Sequence, residues 1–182
     1  ELATGTGLIA GNLVGDAGMI EATDASPAMI AEAKSNYRSA KLHFSVQDMF
    51  CLPYGDSTFD VVIVANALHI VKEPERVLSE IRRVLKKDGV LIAPTFTHSD
   101  NRTAGKIRAW FMKLAGFPLC TKWSEQTYLT FLEDNGWIVK KCAVLRASFP
   151  LTYAECIPDC RSDEKEPQTA AKPYREPECT KN

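Results

Sequence analysis

The 182 residues are 45% apolar and 25% charged, which is enough for one compact α/β domain with a sizeable core. Lys and Arg number 22 against 23 Asp and Glu, so no overall charge draws the chain to nucleic acid or an anionic membrane. No apolar run is long enough to span a bilayer, and no signal peptide is visible. We therefore expect neither a nucleic-acid partner nor a membrane partner.

The cysteines are scattered along the chain and contain no CxxC pair. This pattern favours a reducing, cytoplasmic compartment over a secreted disulfide framework. No Cys and His residues stand at metal-ligand spacing, so we expect no bound metal.

The first elements alternate between strand and helix. Residues 1–3 resemble the end of a strand that enters a glycine turn, and residues 8–14 form a helical stretch. A domain does not normally begin at the end of a strand, so we expect the first strand to start upstream. Residues 20–23 are typical of a second strand, after which Ser26 can cap a helix that opens at Pro27 and runs to about Tyr37.

The middle of the chain continues this alternation. Residues 42–46 alternate as a strand, and the β-branched run 59–64 is typical of a strand buried on both faces of a parallel sheet. Pro74 opens an amphipathic helix, which we expect to end at residues 86–89 because cations and a glycine stand there. The next predicted strand is 90–95.

The last elements complete an α/β pattern. Ser124 starts a helix that stops at Asn135-Gly136, and residues 137–145 and 151–157 form two closing strands. Residues 158–182 are polar and poor in large apolar side chains, so we expect a disordered tail. Strands and helices in this order predict a doubly wound, mostly parallel sheet with an antiparallel closing strand.

The clearest functional signal is a glycine turn followed by an acid. Gly5 and Gly7 lie in the run Glu1-Leu2-Ala3-Thr4-Gly5-Thr6-Gly7, and Asp24 ends the next strand. Glycines allow a ligand close to the backbone, the following helix offers N–H groups, and an acid on the neighbouring strand can accept both ribose hydroxyls. A glycine turn alone can serve chain reversal only, but the turn with Asp24 predicts a nucleoside cofactor site.

Further blocks follow in a fixed order. They are Thr23-Asp24-Ala25-Ser26-Pro27-Ala28-Met29, then Val46-Gln47-Asp48-Met49, then Leu52-Pro53-Tyr54 with Phe59-Asp60-Val61-Val62, and finally Asn66-Ala67-Leu68-His69. With these blocks, residues 1–157 resemble the class I S-adenosylmethionine-dependent methyltransferases that act on small molecules, including the ubiquinone and menaquinone biosynthesis type. The resemblance implies a Rossmann-like fold, S-adenosyl-L-methionine as cofactor and a small-molecule methyl acceptor.

The resemblance also assigns roles residue by residue. The turn at Gly5 would hold the methionine part of the cofactor, Asp24 the ribose, and Asp48 the adenine amino group. The implied cofactor contacts are Glu1, Ala3, Gly5, Thr6, Gly7, Asp24, Ala25, Met29, Asp48, Met49, Asn66 and Ala67. Ala3 departs from the family, which usually has a glycine there.

Several of these residues have a second interpretation. Asp48 precedes a turn and can simply cap it, and Met29 can belong partly to the core. His69 is the titratable residue near neutrality closest to the predicted methyl group. It is either a general base for the reaction or a hydrogen-bonded histidine that lines the pocket.

Residues 97–123 are the expected substrate lid, because loops at the carboxyl edge of such a sheet line the ligand crevice. The aromatic residues of this segment favour an apolar or aromatic acceptor, or else they pack the lid itself. They are Trp110, Phe111, Phe117 and Trp123.

Two other functions remain open at this point. An NAD(P)-dependent dehydrogenase shares the glycine turn and the ribose acid, but the Asp48-Met49 block has no role there and no Tyr-x3-Lys pair is present. A cofactor-binding pseudoenzyme or an inactive fragment is the other alternative. The oligomeric state and the accepting atom do not follow from the sequence.

Overall fold

The computed structural model describes residues 1–97, 121–145 and 150–161, and strands and helices alternate along most of them. The helices are α1 (Leu8–Leu13), α2 (Pro27–Asn36), α3 (Pro74–Val84) and α4 (Glu125–Asp134). The strands are β1 (Ile20–Asp24), β2 (Leu42–Val46), β3 (Phe59–Ile63), β4 (Leu85–Ile92), β5 (Thr95–Phe96), β6 (Trp137–Leu145) and β7 (Leu151–Pro158).

The strand pairing confirms the predicted sheet. β1 pairs in parallel with β2, and β3 pairs in parallel with β4. β7 runs antiparallel to β4 and β5 on one edge and to β6 on its other edge. β7 is therefore the antiparallel closing strand in a mostly parallel arrangement.

The backbone of residues 1–4 joins the two parts of the sheet. Leu2 forms parallel bridges with Thr23 and with Val64, and its N–H donates to the carbonyl of Ile63 at 2.8 Å. Thr23 N–H donates to the Glu1 carbonyl at 2.8 Å, and Thr4 N–H donates to the Thr23 carbonyl at 2.9 Å. This short stretch therefore lies between β1 and β3 and fixes their relative position.

β3 is less buried than its sequence predicts. Val61 leaves 50% of its surface exposed, whereas Val62 is buried. Val61 and Val62 both line a small cavity of about 20 Å³ that extends from Leu2 between β1 and β3, with Glu21 and Tyr54 on its wall. The expectation that this strand is buried on both faces is wrong, because no described residue covers Val61 beside that cavity.

The boundary between α3 and β4 also differs from the expectation. α3 ends at Val84, and Leu85 already has extended backbone and pairs with Phe59. Residues 86–89 therefore lie inside β4 and not at the end of the helix. Leu85 and Val90 on either side of these residues pair with β3, and this pairing outweighs the local helix-stop signal of the lysines and the glycine.

The predicted caps are confirmed. The Ser26 side chain accepts a hydrogen bond from the N–H of Met29, and Pro27 is the first residue of α2. Ser124 and Thr127 form a reciprocal capping box at the start of α4. Such caps satisfy N–H groups that have no partner inside the helix, so they fix where each helix begins.

Two segment predictions fall largely outside the described residues. Residues 98–120 of the expected lid and residues 162–182 of the expected tail are not described. Just after β7, the Asp159 N–H donates to the Gly136 carbonyl at 2.9 Å, and Arg82 donates to the Asp159 carbonyl at 2.8 Å. Asp159 is therefore tied to the loop before β6.

Tyr128→Phe tests how α4 is held on the sheet. The fully buried Tyr128 hydroxyl donates to the Ala93 carbonyl at 2.6 Å, and burial raises the pKa of this phenol, which keeps it protonated. Loss of this bond should lower the free energy of unfolding by about 1–2 kcal/mol in denaturant titration. Tyr153→Phe is the control, since its hydroxyl lies at 3.4 Å from Glu155 and is only partly buried; equal effects of the two substitutions would contradict this view.

Candidate functional site

The glycine turn between residues 4 and 7 has left-handed backbone at both glycines. Gly5 has φ +55° and Gly7 has φ +81°. A Cβ on Gly7 would lie 2.8 Å from the Phe44 ring and 3.1 Å from Ala33, whereas a Cβ on Gly5 would meet no atom within 4 Å. Gly7 is therefore required by packing, and Gly5 faces open space where a ligand can approach the backbone.

Ala3 adopts an unusual conformation for a residue with a side chain. Its φ is +51°, in the left-handed region. This conformation costs an alanine about 1–2 kcal/mol and a glycine very little. Ala3, which stands where the family usually has glycine, therefore introduces local backbone strain just before the turn.

Asp24 lies directly beside the glycine turn, as its spacing predicts. Its Oδ2 accepts the Gly5 N–H at 2.9 Å, and its Oδ1 accepts the Ser26 N–H at 2.9 Å. A carboxylate has about four acceptor positions, so each oxygen keeps capacity for one more donor. The carboxylate is thus held in a fixed orientation and can still accept two hydroxyl groups of a ligand.

Glu1 fastens the turn to α1. Its Oε2 accepts from the Thr4 hydroxyl at 2.7 Å and from the Ala10 N–H at 2.9 Å. Burial raises the pKa of the Glu1 carboxyl, and the Thr4 bond acts in the opposite direction. Glu1 therefore shapes the loop that carries Gly5.

The residues implied for adenine follow β1 and β2. Ala25 is exposed, and Met29 leaves 38% of its surface exposed on the first turn of α2. Asp48 Oδ1 accepts the Phe50 N–H at 2.9 Å, and its carbonyl accepts the Cys51 N–H at 3.1 Å. Asp48 therefore caps its own turn, and its Oδ2 has no hydrogen bond to any described residue, so it can still accept a ligand amine.

Met49, the next residue, is part-buried and packs on the main core cluster. Gln47 N–H donates to the Asp24 carbonyl at 3.1 Å, which places the start of this turn at the end of β1. The implied adenine residues therefore share one edge of the sheet with Asp24.

Asn66 lies just past β3 with left-handed backbone at φ +53°. Its N–H donates to the Pro94 carbonyl at 2.8 Å, while its Oδ1 is buried and has no hydrogen-bond partner among the described residues. A buried amide oxygen without a partner costs about 1–3 kcal/mol, so a donor from a ligand would be favourable here. Ala67 beside it is buried.

His69 is fixed in the loop after β3. Only 5% of its surface is exposed, and its Nδ1 lies 3.0 Å from the Thr95 hydroxyl. The Phe96 ring meets the imidazole edge-on at 6.2 Å, and the His69 carbonyl accepts the Thr121 N–H at 3.1 Å. The structure thus shows a hydrogen-bonded histidine, and no pattern in the sequence indicates its contact with Thr95.

The structure brings most of these residues to one edge. Asp24 is the last residue of β1, Asp48 and Asn66 follow the carboxyl ends of β2 and β3, and Leu2 bridges β1 to the end of β3. Gly5 and Asp24 are in direct contact. Within the described residues, no group of three or more His, Cys, Asp or Glu side chains could hold a metal ion. The Gly5 turn and the oxygens of Asp24, Asp48 and Asn66 give this edge backbone N–H groups and single acceptors, which suit a nucleoside ligand.

This fold and this edge define an α/β domain that binds a nucleoside cofactor. The sequence profile of the methyltransferase domain family matches residues 1–93. The chain belongs to this family, and specifically to the class I S-adenosylmethionine-dependent methyltransferases. The family assignment replaces the dehydrogenase alternative.

Relatives at moderate identity share this domain. The chain is 35% identical over 116 residues to the demethylmenaquinone methyltransferase of Thermotoga maritima, covering 62% of this chain and 50% of that protein. It is 35% identical over 96 residues to the phthiotriol/phenolphthiotriol dimycocerosates methyltransferase of Mycobacterium tuberculosis, covering 53% of this chain and 34% of that protein. The chain thus spans about half the length, or less, of the curated relatives it matches.

A solved structure shows the same fold. The S-adenosylmethionine-dependent methyltransferase of Methanosarcina mazei superposes with a TM-score of 0.73 at 17% identity, covering 86% of this chain and 90% of that one. At this identity the likeness supports the Rossmann-like methyltransferase fold alone.

Alanine at the two turn glycines should have different effects. Gly5→Ala should lower the free energy of unfolding by about 1–2 kcal/mol, the cost of left-handed backbone. Gly7→Ala should lower the free energy of unfolding by about 1–3 kcal/mol more than this, because the new methyl group overlaps the Phe44 ring. Thermal or denaturant unfolding measures both, with Gly15→Ala as a control in open space; a Gly5 variant as unstable as the Gly7 variant would contradict the assignment of open space to Gly5.

Proposed function

We propose that this protein transfers the methyl group of S-adenosyl-L-methionine to a small-molecule acceptor. The observation that carries the proposal is the Asp24 carboxylate, held by the Gly5 and Ser26 N–H groups with acceptor capacity to spare. This arrangement suits a ribose diol beside a glycine turn. Membership of the methyltransferase family supplies the reaction class.

The binding roles are part of this proposal. The backbone of residues 5–7 holds the methionine part, with Glu1 and Ala3 shaping the turn. Asp24 binds the ribose, while the adenine lies against Ala25 and Met29 and meets Asp48 and the Met49 N–H. Asn66 and Ala67 border the sulfonium and the entrance for the acceptor. The full proposed set is Glu1, Ala3, Gly5, Thr6, Gly7, Asp24, Ala25, Met29, Asp48, Met49, Asn66 and Ala67.

The bound cofactor supplies a methyl group on a sulfonium, which is already activated for displacement. The residues of the chain therefore have to hold the acceptor in line and exclude water. His69 is buried and hydrogen-bonded, and in the sequence it follows Asn66 and Ala67, the residues proposed to border the sulfonium. We therefore assign it to the acceptor side of the site.

We further propose an apolar acceptor. Support comes from the relatives, which are named for demethylmenaquinone and for phthiotriol dimycocerosates. Of the aromatic residues expected in the lid, Trp123 is buried and its ring lies 5.1 Å from Tyr128 and 4.8 Å from Phe131. Trp123 therefore packs the protein, and the other three lie outside the described residues.

A cytoplasmic location is also part of the proposal. Cys142, Cys156 and Cys160 are free thiols, as a reducing compartment keeps them, whereas Cys51 is disulfide-bonded. Alkylation of the protein immediately on cell lysis, followed by mass spectrometry, tests this point. A reduced Cys51 supports the cytoplasmic location, and an oxidised Cys51 argues against it.

Calorimetric titration tests the cofactor and the function in sequence. The protein should bind S-adenosylmethionine and S-adenosylhomocysteine with micromolar affinity and should not bind NADH. Transfer of a radiolabelled methyl group to demethylmenaquinol and to other small quinols then tests activity. Binding without any transfer would favour a pseudoenzyme, and no binding by the folded protein would refute the proposed function.

Asp24→Ala should weaken S-adenosylmethionine binding by about 100-fold or more. Two hydrogen bonds to a carboxylate contribute about 1.5–3 kcal/mol each, and 1.4 kcal/mol is a tenfold change in affinity. The control is Asp16→Ala, an exposed acid in the turn after α1. Circular dichroism should show both variants folded; an Asp24 variant with wild-type affinity would remove the ribose assignment.

A further inference from the structure

Three charged side chains of α3 face the turn that carries Asp48. Arg76, Glu80 and Arg83 stand at positions i, i+4 and i+7, so they lie on one face of the helix. Each of them contacts a residue between 50 and 54. α3 is therefore attached to the segment that directly follows Asp48.

Leu52 is held to α3 through both of its backbone groups. Its N–H donates to Glu80 Oε1 at 2.7 Å, and its carbonyl accepts from Arg83 Nη2 at 3.1 Å. Arg83 Nη1 also donates to the Tyr54 carbonyl at 2.8 Å. Because Leu52 is buried, water cannot easily replace these partners, so the bonds fix the backbone on the far side of the turn.

Glu80 and Arg83 also fix each other. Arg83 Nε donates to Glu80 Oε2 at 2.9 Å, and Arg83 Nη2 donates to Glu80 Oε1 at 2.7 Å. Hydrogen bonds to Glu80 and then to Asp56 raise the pKa of the Arg83 guanidinium. Burial opposes ionisation of Glu80, but the hydrogen bonds from Arg83 and Leu52 outweigh it and lower the pKa of this carboxyl. The pair is therefore ionised at neutral pH and has the two-bond geometry that a guanidinium forms with a carboxylate.

Phe50 carries a second attachment, within the turn itself. Its N–H donates to Asp48 Oδ1 at 2.9 Å, and the turn closes where the Cys51 N–H donates to the Asp48 carbonyl at 3.1 Å. The Arg76 guanidinium lies over the Phe50 ring, 5.2 Å from its centroid, where a cation is attracted by the face of the ring. The residue that orients the Asp48 carboxylate is thus itself held against α3.

We propose that Glu80 and Arg83 are positioning residues, which hold the 48–51 turn so that Asp48 can accept the adenine amine of the cofactor. They act through the Leu52 backbone, next to the turn, and not by contact with the cofactor. Asp24 is held separately, by other N–H groups, so the ribose contact does not depend on this pair. The role in adenine binding rests on the proposed function, whereas the attachment of the turn to α3 does not.

Hydrogen exchange of the ligand-free protein tests the attachment. In Arg83→Met, which keeps the length of the side chain without its hydrogen bonds, the Phe50 and Cys51 amides should exchange at least about fivefold faster than in the wild type. The Thr58 amide is the internal control, because it donates to the Val84 carbonyl and not to a side chain of α3. Unchanged turn amides, or equal acceleration at the turn and at Thr58, would overturn the proposal.

Two further variants complete this experiment. Arg83→Lys keeps the charge but loses the paired bonds, so it should show the same change, and it replaces Arg83→Met if that variant does not fold. Arg161→Met is the matched control, because it removes an arginine from an exposed ion pair with Asp159. It should leave the turn amides at their wild-type rates, and acceleration there would contradict a specific role of Arg83.

Ligand selectivity separates a positioning role from a general loss of stability. S-inosylhomocysteine carries a carbonyl oxygen where S-adenosylhomocysteine has the adenine amine. The wild type should bind the adenosyl ligand at least about tenfold more tightly, because the amine donates to the Asp48 carboxylate. In Arg83→Met this ratio should fall to about threefold or less, while Arg161→Met should keep it. A wild-type ratio in the folded Arg83 variant would overturn the proposal.

A double-mutant cycle shows whether Arg83 acts through Asp48. In an Asp48→Ala background, Arg83→Met should change the affinity for S-adenosylhomocysteine by less than about twofold, because the contact that it supports is already gone. Additive losses would place the effect of Arg83 elsewhere and overturn the proposal. If the wild type binds neither ligand, the proposed function fails, and hydrogen exchange still decides whether the pair holds the turn.

Discussion

The backbone hydrogen bonds of residues 1–4 are the constraint on which the site depends. Leu2 bridges Thr23 at the end of β1 and Val64 after β3, and Thr4 N–H donates to the Thr23 carbonyl. These bonds fix the ends of β1 and β3 relative to each other, and the turn at Gly5 therefore lies beside Asp24. Each carboxylate and amide of the proposed cofactor site is positioned relative to this short stretch.

A second layer of hydrogen bonds then sets what each polar group can do. Asp24 is oriented by two N–H groups, and one oxygen of Glu1 accepts both bonds that hold the turn to α1. One oxygen of Asp48 accepts a bond from its own turn. Asn66 is the contrast, since its buried Oδ1 has no partner among the described residues. Groups that are held but not saturated are those suited to bind a ligand.

Local signals were sufficient for much of the fold. The caps at Ser26 and Ser124, the strand 42–46 and the closing strand 137–145 are confirmed as predicted. The class of the cofactor site also followed from sequence, because a glycine turn and an acid at a strand end are short-range patterns with a direct mechanical meaning. The predicted helix end at residues 86–89 was wrong, because strand pairing, a long-range effect, already begins at Leu85.

The sequence by itself determined the α/β order, the family and the identity of Asp24 as the acid beside the turn. Only the tertiary structure decided which side chains keep acceptor capacity, that Val61 is exposed, and that Thr95 meets His69 across 26 positions of the chain. The physical reason is that capping and periodicity act within a few residues, whereas burial and side-chain partners depend on which strands become neighbours. The chemistry of His69 is therefore a property of the folded sheet edge.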